Sequence, residues 1–276
     1  NEADQGMDQN LELSPDQKYM GGYTGPTSQG IRHMYYPAFN PFSPIITFHI
    51  PFHEMGHAPK RAALFYDLAK QAKANGHLFW AYRFLGWGLH FVQDVGQPYH
   101  SNQIASFTLL PIFELLKKGW SGFIEETNRL VSNFHICFEQ YVNYMIQPTS
   151  DSGLVNAFKV PKADDALKTA FEQENNFTIS EGVNKLALVS SELAPRVVAA
   201  QEKMLGGVLR SKALDLRLGV KDGTGKSKVD LRLVDESPMF KAVRGDLRNV
   251  TYETLSNTGV ATRWYLDRFL KEPSTK

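Results

Sequence analysis

The spacing of apolar positions divides the chain into a loop-rich start and a series of helices. Residues 1–58 keep no sustained period. Gly, Pro, Tyr and Asn recur there, as in Tyr19-Met-Gly-Gly-Tyr23 and Asn40-Pro-Phe-Ser-Pro44, and the segment reads mainly as loop. Beyond Pro59, residues Ala62, Leu64, Phe65, Leu68, Ala69 and Ala72 return at three- and four-residue steps, which predicts an amphipathic helix closed by Asn75-Gly76. A second helix, from about Leu78 to Val95, is apolar on most faces. That predicts a place in the middle of a bundle, with the aromatic run Phe79, Trp80, Tyr82, Phe84 and Trp87 in the core. Gly96-Gln-Pro98 ends it, because proline and the residue before it resist helical geometry.

Further helices are predicted over 109–118, 123–145, 161–172, 179–205 and 239–270, with Pro195 expected to kink or break the fourth of these. Leu214, Leu216, Leu218 and Val220 alternate with polar residues, as do Val229, Leu231 and Leu233, around Asp222-Gly-Thr-Gly225. That pattern predicts a small β-hairpin insertion near 213–234. The expectation is an all-α fold in which residues 1–276 form a single domain.

Composition narrows the function. A chain of 276 residues can build a core without covalent staples, and its one cysteine, Cys137, can make no internal disulfide. Lys plus Arg number 30 against 29 Asp plus Glu, a net +1, so the basic excess of a polyanion reader is missing and nucleic acid is an unfavoured partner. No apolar run is long enough to span a bilayer. Asn1-Glu2-Ala3-Asp4 carries neither an initiator Met nor a signal-peptide pattern, which predicts that a preceding segment has been processed away or is missing.

The chemistry gathers in Gly86-Trp-Gly-Leu-His-Phe-Val-Gln-Asp-Val-Gly-Gln-Pro-Tyr-His100. His90 and Asp94 are four residues apart and share one helix face; His100 follows just past the proline break. His135 and Glu139 repeat the four-residue step on another predicted helix, flanked by Phe134, Ile136, Cys137 and Phe138. One histidine on an apolar face is most simply a hydrogen-bonded core residue. Two such pairs plus a following histidine are different, because each unsatisfied buried polar group costs about 1–3 kcal/mol. A metal satisfies all five better than they satisfy one another. Nitrogen and carboxylate ligands without thiolates suit zinc, and five of them exceed one tetrahedral shell, so more than one ion is expected.

These residues resemble the bacterial zinc-dependent phospholipase C family and its relatives, the fungal and plant single-strand nucleases. The family signature Leu-Gly-x-x-Leu/Met-His-x-x-x-Asp-x-x-x-Pro-x-His is met from Leu85 to His100, and its later His-x-x-x-Glu/Asp by His135-Ile-Cys-Phe-Glu139. The Glu form is that of the phospholipase branch. His33-Met-Tyr-Tyr-Pro37 is similar to another family segment, Ala3-Asp4 to the family's early Asp, with Asp8 as a rival, and Asn257–Leu270 to its last helix. The resemblance implies an all-α domain with a zinc cluster in a cleft. One ion would take Asp4, His33, His90 and Asp94, and a second His100, His135 and Glu139. The family's third ion uses an N-terminal Trp and a nearby His. This chain starts with Asn, and no His precedes His33, so an upstream segment is expected to supply that site, or it is absent.

The activity implied is hydrolysis of the glycerol-phosphate ester of phospholipids at a membrane surface, giving diacylglycerol and a phosphorylated headgroup, with Asp4 orienting or deprotonating the attacking water. Export, to the periplasm or medium, is implied in the same way. Gln5 and Gly30 stand where the family's choline box has aromatics, so the headgroup is left open. The alternatives are a single-strand-type zinc nuclease and a non-catalytic zinc-containing binding protein.

Other strings carry less. His53-Glu54-Met55-Gly56-His57 matches the zinc-protease pattern, but Pro51 and Pro59 bracket it too closely for the helix that pattern needs. It is expected to be loop, with His49, His53 and His57 near the surface or lining the cleft. Asp222-Gly-Thr-Gly-Lys226 lacks P-loop spacing and reads as a turn. Arg210, Lys212, Arg217, Lys221 and Lys226 read as a solvated face.

Overall fold

Local sequence rules account for where most elements begin and end. The computed structural model describes residues 32–39, 53–102, 110–146, 152–160, 166–173, 177–216 and 244–272. They form an all-α fold carrying one two-stranded antiparallel sheet, β1 (Tyr35–Phe39) with β2 (His53–Gly56). Helix α1 (Ala58–Ala74) starts with proline in its first turn, where the missing N–H costs nothing, and ends at Asn75-Gly76 with Gly76 at φ 76°. Helix α2 (Leu78–Gly96) packs back along α1 and stops where Pro98 holds Gln97 extended. The short α3 (Pro98–Ser101) follows at once, the Gln97 side chain accepting from the Tyr99 backbone N–H.

Helix α4 (Leu110–Ile146) joins the two helices predicted over 109–118 and 123–145, and the backbone breaks between them at Gly119, φ 69°. Then come α5 (Ser152–Lys159), α6 (Ala166–Gln173), α7 (Ile179–Leu205), a 3₁₀ turn (Gly206–Arg210) and α8 (Arg244–Lys271). A capping box opens α7: the Glu181 backbone N–H donates to Thr178 Oγ1, and the Glu181 carboxylate accepts from the Thr178 N–H at 2.7 Å. Helix α7 is central, touching β1, α1, α2, α3, α4, α6 and α8.

Two apolar clusters make the core. One gathers α1, α2, α6, the first half of α7 and the end of α8, around Phe65, Phe91, Leu186 and Tyr265. The other gathers α3, the second half of α4, the rest of α7 and the start of α8, around Tyr99, Phe134, Phe138 and Met204. No helix among the described residues is long and apolar enough to cross a membrane.

Four expectations need correction. Residues 35–39 and 53–56 are strands rather than loop; four or five residues paired across an intervening segment leave no local period to read. Helix α5 was not anticipated, and the helix expected over 161–172 is described only as Ala166–Gln173. Pro195 does not break α7, which runs on through it from Ile179 to Leu205. The aromatic run is core only in part: Phe84 and Trp87 are half-buried and pack against the first cluster, while Phe79, Trp80 and Tyr82 are exposed. The buried stripe of α2 is Ala81, Leu85, Gly88, Phe91, Val92 and Val95, and the first three aromatics fall outside it. Phe79 and Trp80 meet edge to face, and the Arg83 guanidinium lies 5.6 Å from the ring centre of Phe79 and 5.9 Å from that of Trp80, while Tyr82 meets the edge of Phe269. The hairpin expected near 213–234 lies outside the described residues beyond 216, as do residues 239–243 of the last predicted helix.

Candidate metal centre

The chain folds so that six of the seven expected ligands meet in two groups. His33 is a helical residue two positions before β1, His90 and Asp94 come from successive turns of α2, His100 from α3, and His135 and Glu139 from successive turns of α4. In the first group His33 Nδ1 lies 2.7 Å from Asp94 Oδ2 and 3.1 Å from His90 Nε2, which is itself 3.2 Å from Asp94 Oδ2. In the second, His100 Nε2 lies 3.0 Å from His135 Nε2 and 3.4 Å from Glu139 Oε1, with 2.8 Å between His135 Nε2 and Glu139 Oε1. Each group could hold a metal ion, its ligand atoms all within 4.8 Å of one another. Asp4, and its rival Asp8, lie outside the described residues.

The groups adjoin. Asp94 Oδ1 is 3.9 Å from His100 Nδ1, and that same Nδ1 lies 3.0 Å from the His33 carbonyl. A carbonyl can only accept, so Nδ1 carries the hydrogen, and in neutral His100 the lone pair is on Nε2, facing His135 and Glu139. Metal-binding histidines are commonly oriented in this way, by a hydrogen bond from the other ring nitrogen.

The electrostatics favour a cation. Burial pushes the His100 imidazole towards neutrality, yet the hydrogen bond to Glu139 and the charges of Asp94 and Glu139 outweigh it and raise its pKa above the ordinary 6.5. Burial likewise opposes ionisation of Glu139, but His135 and His100 overcome it and hold the carboxyl well below the usual carboxylate range. The two shifts are the two sides of one attraction, between the imidazoles and the carboxylates that face them. Cys137, between the two α4 ligands, is no rival: burial pushes its thiol up to about 12.

The surroundings fix the rings. Phe91 stacks on His33 with ring centres 5.0 Å apart, and Tyr99 on His135 at 6.0 Å. Tyr99 donates to Gln201 Oε1 at 2.5 Å, and Gln201 Nε2 donates to the Phe134 carbonyl at 3.0 Å, so one buried chain ties α3 and α4 to α7. Gln97 Nε2 reaches Glu139 Oε1 at 3.4 Å. Gly56 brings β2 against the turn that carries His33. At φ 113° it sits where glycine is favoured, and a Cβ there would lie 2.1 Å from the Met34 carbonyl oxygen. Sequence reasoning missed Tyr99, Gln97 and Gln201 as positioning groups. Gln201 did leave a signal, as a polar residue on an otherwise apolar face of α7.

The zinc-protease string is disposed of by its fold: His53 to Gly56 is a strand, and His57 lies at the exposed turn before α1, so no helix face presents the two histidines together. His49 lies outside the described residues. Comparison with known proteins is silent: no family model matches the chain, and no curated protein matches it.

Proposed function

We propose that this chain is a zinc-dependent phosphodiesterase of the phospholipase C type, cleaving the glycerol-phosphate ester of phospholipids to diacylglycerol and a phosphorylated headgroup. The observation that carries the reading is the pair of adjoining three-ligand groups, one His, His, Asp and the other His, His, Glu, linked through Asp94 and the His33 carbonyl. Zinc fits the donors. Ligand arms of 2.0–2.1 Å in a tetrahedron put donor atoms about 3.3 Å apart. The separations of 3.0, 3.1, 3.2 and 3.4 Å lie close to that edge, and the two imidazole–carboxylate contacts of 2.7 and 2.8 Å are where a proton bridges instead. Among the described residues each group offers three ligands, the number that catalytic sites keep beside an open position, and Asp4 would be a fourth at the first group.

His33, His90 and Asp94 would hold one ion and His100, His135 and Glu139 another. Bound there, zinc supplies Lewis acidity towards a phosphoryl oxygen and a water acidic enough to attack near neutral pH. The chain's own contribution is positional. The His33 carbonyl keeps His100 in the tautomer that offers Nε2, Phe91 and Tyr99 fix two of the rings, and Gln97 steadies Glu139. Asp4 remains the carboxylate that the resemblance assigns to the attacking water. The reading carries export and action at a membrane surface with it.

Metal analysis combined with assays on several phospholipids and on single-stranded DNA tests the proposal. Release of a phosphorylated headgroup is expected, with His90→Ala and Asp94→Asn each losing more than the roughly 10- to 100-fold that loss of an outer-shell partner costs. Glu54→Gln should leave the activity nearly intact. Full activity in either ligand variant overturns the assignment, cleavage of DNA alone selects the nuclease, and one ion with no hydrolysis selects a zinc-containing binding protein.

A further inference from the structure

Beside the second ligand group lies a groove of about 510 Å³, a volume typical of small-molecule sites. Glu139 is part of its wall, and so is Gln97, which hydrogen-bonds to Glu139. Away from these two the lining is mainly apolar: Val142 and Ile146 follow Glu139 along α4, Leu154 and Val155 face them from α5, and Leu255 comes from α8, with Gln93, Asn143, Thr254 and Thr258 as uncharged polar members. Among the described residues no lysine or arginine lines it, and Glu139 is the one charged side chain.

We propose that this groove takes an aliphatic chain, an acyl chain of the lipid whose phosphate lies at the metal centre. The inference rests on the phosphodiesterase reading for what brings the chain there; the choice of occupant rests on the wall. Val142 and Ile146 stand one and two turns beyond Glu139 on the same helix, so a chain leaving a phosphate at the centre passes from a ligand directly onto hydrocarbon. Among the described lining residues a nucleic-acid strand finds neither of the features that hold it, a cationic track and exposed rings for base stacking. The two phenylalanines of the lining, Phe138 and Phe158, are respectively fully buried and half-buried in the packing. A free headgroup carries too little hydrocarbon to fill the groove's length along α4. Alkyl chain is the chemistry left, and each methylene sequestered adds affinity.

The test is calorimetric binding of n-alkyl phosphates, butyl to decyl, to the zinc-loaded protein. Affinity should rise about two- to fourfold per added methylene. Val142→Trp and, independently, Val155→Trp should flatten that rise while leaving butyl phosphate binding within about twofold of the unaltered protein. A flat series in the unaltered protein, or a rise that both variants retain, overturns the inference. Hydrolysis is scored separately, on a dioctanoyl phospholipid and on the chain-free bis(p-nitrophenyl) phosphate. Lipid hydrolysis with a flat series refutes the groove and keeps the reaction. A rising series without hydrolysis of either ester refutes the reaction and still supports an aliphatic-chain site.

Discussion

His100 and Glu139 set opposite pH requirements on the metal-free protein. His100 has its pKa raised: burial opposes the charged ring, but the hydrogen bond to Glu139 and the nearby carboxylates win. A raised folded pKa contributes stability that is whole below the ordinary value near 6.5 and is lost as pH climbs through the folded value. Glu139 has its pKa lowered, against burial, by His135 and His100, so its contribution is present above the ordinary 4.5 and is lost as pH falls through the folded value. The metal-free protein should therefore be most stable between about pH 4.5 and 6.5 and should soften on either side. A bound metal needs neutral imidazole and displaces that proton, so its stabilising effect should grow from pH 6 to 8. Thermal unfolding across pH, with chelator and with zinc, checks both halves; a zinc effect that shrinks as pH rises contradicts them.

At the scale of elements, Pro195 carries the cost that a local rule assigns it, yet does not break α7. A proline inside a helix leaves the carbonyl four residues earlier without its N–H, here that of Ser191. Asn102 Nδ2 donates to that carbonyl at 3.2 Å, from the end of the segment that carries His100. Ser190 and Ser101 similarly serve the carbonyls of Gly96 and Val95 at the end of α2, where Pro98 stops the helix. The break that places His100 is thus stitched to α7 at the proline. Asn102→Ala should cost about 1 kcal/mol in the native background and little in Pro195→Ala, where the helix resatisfies Ser191. Urea unfolding of the four proteins measures it, and additive effects would deny the coupling. The helices around these breaks were legible in the sequence because prolines, glycines and 3.6-residue periods act locally. The β1–β2 pair and the exposure of Phe79, Trp80 and Tyr82 were not, since each depends on what packs from elsewhere in the chain.

Over the whole molecule, the candidate metal centre spans the two apolar clusters: His33 packs on Phe91 of one, and His135 on Tyr99 of the other. The i, i+4 pairs announced His90 with Asp94 and His135 with Glu139, but their neighbours in space could only be supplied by the fold. Ions held there would tie together chain segments from residue 33 to residue 139, so their binding energy becomes folding energy. The most direct measurement is the number of zinc ions per chain, by elemental analysis of the dialysed protein and of His90→Ala and His135→Ala. At least two ions are predicted in the unaltered chain, with one lost in each variant. An unaltered chain without zinc, or variants that keep its full content, would contradict the account.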